Sequence, residues 1–101
     1  MKDNENIEHI FLLEHDLQNS FNSHNQLCKF AYTLQNTPPV KILIDFSKIN
    51  FIAANLFSVL GCIFSEFNLR SHNLDLVYIR GMKDSILDTA RKNGFCLHFG
   101  M

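Results

Sequence analysis

Residues 37–46, TPPVKILIDF, constrain this chain more than any other stretch. Pro38 and Pro39 donate no backbone hydrogen bond, so a helix arriving from the amino-terminal side must stop there. The VKILIDF run behind them is short, β-branched and almost continuously apolar, as expected of a central strand covered on both faces. From Leu56 the period changes. Leu56, Leu60, Ile63 and Phe67 share one helical face, and Ser58, Gly61, Ser65 and Asn68 share the other. A buried strand followed closely by an amphipathic helix is half of a βαβ unit, which needs a parallel neighbour for its strand.

The flanking sequence repeats that alternation. Residues 7–14, IEHIFLLE, read as a strand, and the turn-rich DLQNSFNS follows. Ser23 and Gln26 have the Ser-x-x-Gln spacing that satisfies the free N–H groups of a new helix, which carries Leu27, Phe30, Ala31 and Leu34 on one stripe. LDLVYIR, residues 74–80, is a further buried strand. Residues 84–93 form a helix with Ile86, Leu87 and Ala90 inward. Arg91 and Lys92 suit its negative end, and Gly94 is placed to terminate it. FCLHF, residues 95–99, reads as a last strand. The order β-α-β-α-β-α-β predicts an α/β domain: a four-stranded, mostly parallel or mixed sheet, three helices and right-handed crossovers.

At 101 residues the chain is sized for one domain, 1–101. Apolar residues at 47% and charged residues at 19% supply a core and argue against disorder. A net charge of −1, with lysines and arginines scattered singly, offers no basic stripe for a phosphate backbone, so nucleic acid is not the expected partner. Cys28, Cys62 and Cys96 form no C-x-x-C pair and no disulfide framework, which fits a reducing cytosol. MKDNENIEHI is polar and acidic where a secretion signal is basic and then apolar, and no run reaches the ~18 apolar residues of a membrane span. A cytoplasmic protein without membrane insertion is expected.

In parallel sheets ligands gather where a strand ends and a helix begins, here residues 45–60. That stretch holds neither G-x-x-x-x-G-K-[ST] nor G-x-G-x-x-G, so a nucleotide cradle is not expected. ILIDFSKINFIAANLFSVLGCIF, with LDLVYIR and SILDTARKNGFCLHF at their spacing, resembles the STAS domain of bacterial anti-sigma-factor antagonists and sulfate-transporter tails. The resemblance covers residues 40–99. It implies a non-enzymatic protein-interaction module of bacterial signalling, whose partner is a histidine-kinase-like ATPase of the anti-sigma type or another copy of itself. Some relatives bind nucleotides or lipids, so small-ligand sensing is the alternative.

The family writes its switch turn as apolar-Asp-Ser-Ser/Thr-Gly and phosphorylates the hydroxyl before the glycine. On this chain the Asp falls on Ala53, the first Ser on Ala54, the phosphoacceptor on Asn55 and the glycine on Leu56. The modifiable hydroxyl is therefore absent. Asn55 is expected to cap the helix instead, because its side-chain oxygen can accept the N–H of the second or third helical residue. The expected partner surface is Ser58, Gly61 and Ser65 with the Phe57 and Phe64 edge, although core packing competes for both phenylalanines.

Other constellations are weaker. Cys96 and His98 share a strand face, but two ligands are not a metal site, and no metal or cofactor is expected. His15-Asp16 lacks a nucleophile placed beside it and reads as a solvated turn. Asp45 occupies the position of a receiver-type phosphoacceptor without the acidic cluster such a site needs; it is expected to tie down the Ser47-Lys48 turn.

Overall fold

The computed structural model describes residues 7–70 and 76–93. Its elements are β1 (His9–Leu12), α1 (Phe21–Gln35), β2 (Ile42–Asp45), α2 (Ala54–Leu69), β3 (Val77–Arg80) and α3 (Asp84–Lys92). The strands form one parallel sheet in the order β1-β2-β3, with Ile44 of β2 aligned with Phe11 on one side and Ile79 on the other. The expected α/β alternation is present. The expected strand at 95–99, Gly94, Cys96 and His98 lie outside the described residues.

Parallel strands laid side by side in chain order, joined by right-handed crossovers, put successive helices on the same face of the sheet. The side chains sort accordingly. Ile42, Ile44, Val77 and Ile79 belong to one apolar core with Leu27, Phe30, Leu60, Phe64 and Ile86 of the three helices. Leu43 alternates to the opposite face and stands outside that core, although it is only 5% exposed. Its register neighbours there are Ile10 and Tyr78. Ile42, Leu43 and Ile44 are all buried, as the composition of β2 predicts.

The start of α1 also differs from expectation. Ser20 is the N-cap and its hydroxyl accepts the Ser23 N–H at 3.2 Å, so the helix opens at Phe21. Ser23 turns inward, where its hydroxyl accepts the Gln18 N–H at 2.8 Å and donates to the Asp16 carbonyl at 3.1 Å. Gln26 donates to the His15 carbonyl at 3.0 Å. The pair expected to cap the helix instead satisfies the backbone of the loop that precedes it. Leu27, Phe30 and Leu34 are buried as expected, with Ala31 half-buried.

Helix α2 packs against α1, α3 and β3, and so buries a wide arc: Leu56, Phe57, Leu60, Phe64, Phe67 and Asn68. Phe30 meets Phe64 edge-on at 6.0 Å between ring centroids, and Phe11 meets Phe30 in the same way. Such pairs add to burial that is itself worth about 2–3 kcal/mol per phenylalanine. Arg70, just past α2, donates to the Leu34 carbonyl at 2.8 Å and so caps the carboxyl end of α1. Ile86 and Ala90 of α3 are buried and Leu87 is half-buried, as expected.

Two substitutions in α2 should act in opposite directions. Phe64→Ala removes a fully buried ring and should lower the unfolding free energy in urea by about 3–5 kcal/mol. Gly61→Ala adds a methyl group that meets nothing within 4 Å and should raise it by about 0.5–1 kcal/mol.

Candidate functional site

The three loops that leave the carboxyl ends of the strands are tied to one another mainly through backbone groups. Asp16, after β1, accepts the Asn50 N–H at 2.7 Å with its carboxylate. Leu17 and Ile52 form a parallel bridge, in which Leu17 N–H donates to Phe51 O at 3.0 Å and Ala53 N–H to Leu17 O at 2.7 Å. Lys83, after β3, donates to the carbonyls of Ser47 at 2.8 Å and Ile49 at 3.2 Å. The β2–α2 loop is therefore clamped from both sides, and the position where α2 begins is fixed by its neighbours.

Asp45 has the structural role expected of it. Its Oδ1 accepts the Ser47 N–H at 2.8 Å, and its Oδ2 lies 3.7 Å from Arg80 Nη2. These hydrogen bonds from Ser47, and then the Arg80 charge, hold its carboxyl below the usual aspartate range. Gly81 completes the turn at φ +81°, where a Cβ would stand 3.0 Å from both Asp45 Oδ1 and Ser47 N.

The strand-to-helix junction lies where the sequence puts it, but Asn55 does not cap it. Ala53 is the N-cap, in extended conformation and with no side-chain cap bond, and the helix opens at Ala54. The bridge to Leu17 ends at Ala53 and leaves the chain free to turn there, which places Asn55 at the second helical position, exposed. Ala53 is buried and Leu56 is 1% exposed, so both belong to the core and neither is available to a partner.

Of the expected partner surface, Ser58 and Ser65 are exposed and Gly61 is half-buried. Phe57 at 2% and Phe64 at 0% exposure are core residues and leave that surface. The buried arc is wider than the stripe drawn from Leu56, Leu60, Ile63 and Phe67 and is rotated toward Phe57, Phe64 and Asn68, because α2 packs against α1, α3 and β3. Asn68, assigned to the outer face, is buried for the same reason and accepts the Leu76 N–H at 3.2 Å.

Sequence reasoning missed what replaces the phenylalanines. The exposed residues of α2 are Ala54, Asn55, Ser58, Val59, Cys62, Ser65, Glu66 and Leu69, and Glu66 alone among them is charged. Val59 is 41% and Leu69 65% exposed. Beside them runs an apolar groove of ≈ 230 Å³ between α1 and α2, walled by Cys28, Ala31, Val59 and Ile63. Phe51, just before the helix, is half exposed. A helical wheel centred on Phe64 instead of Ile63 would have revealed this face.

At the same end of the sheet, Glu14, His15, Lys48 and Asn50 line an open polar depression. His15 is exposed, and the Asp16 carboxylate beside it is bonded to Asn50. Among the described residues no group of three or more histidine, cysteine or acidic side chains is placed to hold a metal ion, and no helix is long and apolar enough to cross a membrane. Compared with protein-family models, with curated proteins and with solved structures, the chain matches none.

Because the Asp45 carboxyl is held below its ordinary range in the fold, its contribution is present above that range and is lost as pH falls through the folded-state value. Asp45→Asn should therefore lower stability at neutral pH and flatten the acid limb. Denaturant midpoints should converge with those of the natural chain as pH falls from about 5 to about 2.

Proposed function

We propose that this chain is a non-enzymatic interaction module of bacterial cytoplasmic signalling that docks a protein partner on the outer face of α2. The observation that carries the reading is the composition of that face. Outward helix positions ordinarily bear charged residues, yet here alanine, serine, valine, cysteine and leucine are exposed along four turns, with Glu66 the one charge. Small side chains let another backbone approach closely, and half-exposed Phe51 adds an aromatic anchor at the amino end of the helix.

The resemblance to STAS domains supplies the partner class, a histidine-kinase-like ATPase of the anti-sigma type, and the place of residues 95–99 as a fourth strand. In that reading recognition is independent of phosphorylation, because the phosphoacceptor position holds the amide of Asn55 and the preceding positions hold Ala53 and Ala54. The surface comprises Asn55, Ser58, Val59, Cys62 and Ser65, with half-buried Gly61 between them. The α1–α2 groove is small beside the ~300 Å³ at which small-molecule pockets begin, which favours a protein surface over a nucleotide or lipid as its occupant.

Val59→Glu and Ser58→Lys should each leave the unfolding free energy within about 0.5 kcal/mol of the natural chain. Each should also abolish retention of such an ATPase in affinity capture from the native cell; retention equal to that of the natural chain would remove the proposal. Incubation with a kinase of this class should add no phosphate to residues 53–58, in which Ser58 is the one hydroxyl, as read by intact mass and peptide mapping.

A further inference from the structure

Helix α1 carries His24 and Cys28 four residues apart, and both side chains line the apolar groove between α1 and α2. Residues i and i+4 are neighbours on one helical face, with Cβ atoms about 5–6 Å apart, and every Cα–Cβ bond tilts toward the helix amino terminus. The Cys28 side chain is thereby carried back toward His24. Both residues are exposed. Among the described residues no other histidine and cysteine stand one turn apart on a helix.

One sulfur and one nitrogen are too few for zinc, which takes four ligands. They complete the linear coordination of Cu(I), a soft cation that thiolate selects and imidazole suits. Such an ion holds its two donors about 4 Å apart, one metal–sulfur plus one metal–nitrogen bond, which a pair one helical turn apart can span. The walls of the groove favour the same ion. Leu27, Leu56, Val59 and Ile63 offer no side-chain oxygen or nitrogen. A divalent ion on one thiolate would keep a net positive charge there and require two further ligands. Cu(I) with one thiolate and one neutral imidazole carries no net charge and requires none, so it suits an apolar wall.

We propose that His24 and Cys28 form a two-coordinate site for Cu(I) at the mouth of this groove. Cys28 releases its thiol proton to solvent and binds through sulfur, neutral His24 binds through one ring nitrogen, and copper keeps its oxidation state. Helix α1 fixes the backbone of both residues before the ion arrives, so binding orders only two side chains. Cys62, the other described cysteine, lines a neighbouring depression with Gln35, Glu66 and Arg70, in which no histidine takes part. The site is separate from protein docking on α2 and holds without it.

The test uses the whole isotope-labelled chain, with Cu(I) supplied anaerobically and bicinchoninate as the competing coloured ligand. One ion should bind per chain and should move the Cβ resonance of Cys28 and the ring-nitrogen resonances of His24 together, which diamagnetic Cu(I) allows. Cys28→Ala should abolish this binding. His24→Ala should weaken it at least about a hundredfold, because even the loss of a group that only orients a ligand costs about 10–100-fold. Cys62→Ala should leave it unchanged, and Zn2+ in about tenfold excess should not displace the ion. The proposal is overturned if no copper is retained against bicinchoninate, if the first equivalent moves Cys62 or Cys96 instead, or if His24→Ala keeps the natural affinity. One ion held between two chains, or displacement by Zn2+, would overturn it as well.

Discussion

Strand β2 is hydrogen bonded along both edges, and this double pairing in simple chain order is the constraint on which the rest of the structure depends. Once β1, β2 and β3 lie side by side in sequence, right-handed crossovers confine the helices to one face. That face then receives the main cluster of large buried groups, among them Ile42 and Ile44 from the sheet, Phe30 from α1, and Leu60, Phe64 and Phe67 from α2. The other face keeps Leu43 low in exposure between Ile10 and Tyr78 but gives it no place in the core. One topological choice thus places the three described helices and the main apolar core on the same face of the sheet.

The same choice shapes the carboxyl edge of the sheet. Deep crevices in parallel sheets form where the strand order reverses and adjacent loops diverge to opposite faces. The described strands contain no such reversal. Their loops instead run together and bind one another through Asp16 to Asn50, Leu17 to Ile52 and Lys83 to Ser47. Among the described residues there is no crevice of diverging loops between these ties, only the open polar depression lined by Glu14, His15, Lys48 and Asn50. What remains for recognition is surface, and α2, at the centre of the helical layer, presents a face that is almost free of charge.

Particular residues show how far the sequence could be read. The stripe Leu27, Phe30 and Leu34 and the strand around Ile44 were legible because each has a strong period and a clear stop in the prolines behind or ahead of it. Asp45 was legible as a turn-former because the two residues that follow it belong to a turn. Ser23 and Gln26 were misread because a serine followed three residues later by a hydrogen-bonding side chain occurs twice in SFNSHNQ, and spacing cannot choose between Ser20 and Ser23. Asn55 was misread because it is the best capping residue in its turn. The start of α2 was set by a bridge to Leu17, some thirty-five residues away in sequence, and not by local propensity.

By itself the sequence determined the α/β alternation of the described elements and the inward faces of α1 and α3, since these follow from short-range periodicity and from the stops that interrupt it. The tertiary structure alone decided where α2 begins, and that Phe57 and Phe64 are core while Val59 and Leu69 are not. Those outcomes depend on which elements flank one another, and a helix wedged between two neighbours buries a wider arc than its own periodicity specifies.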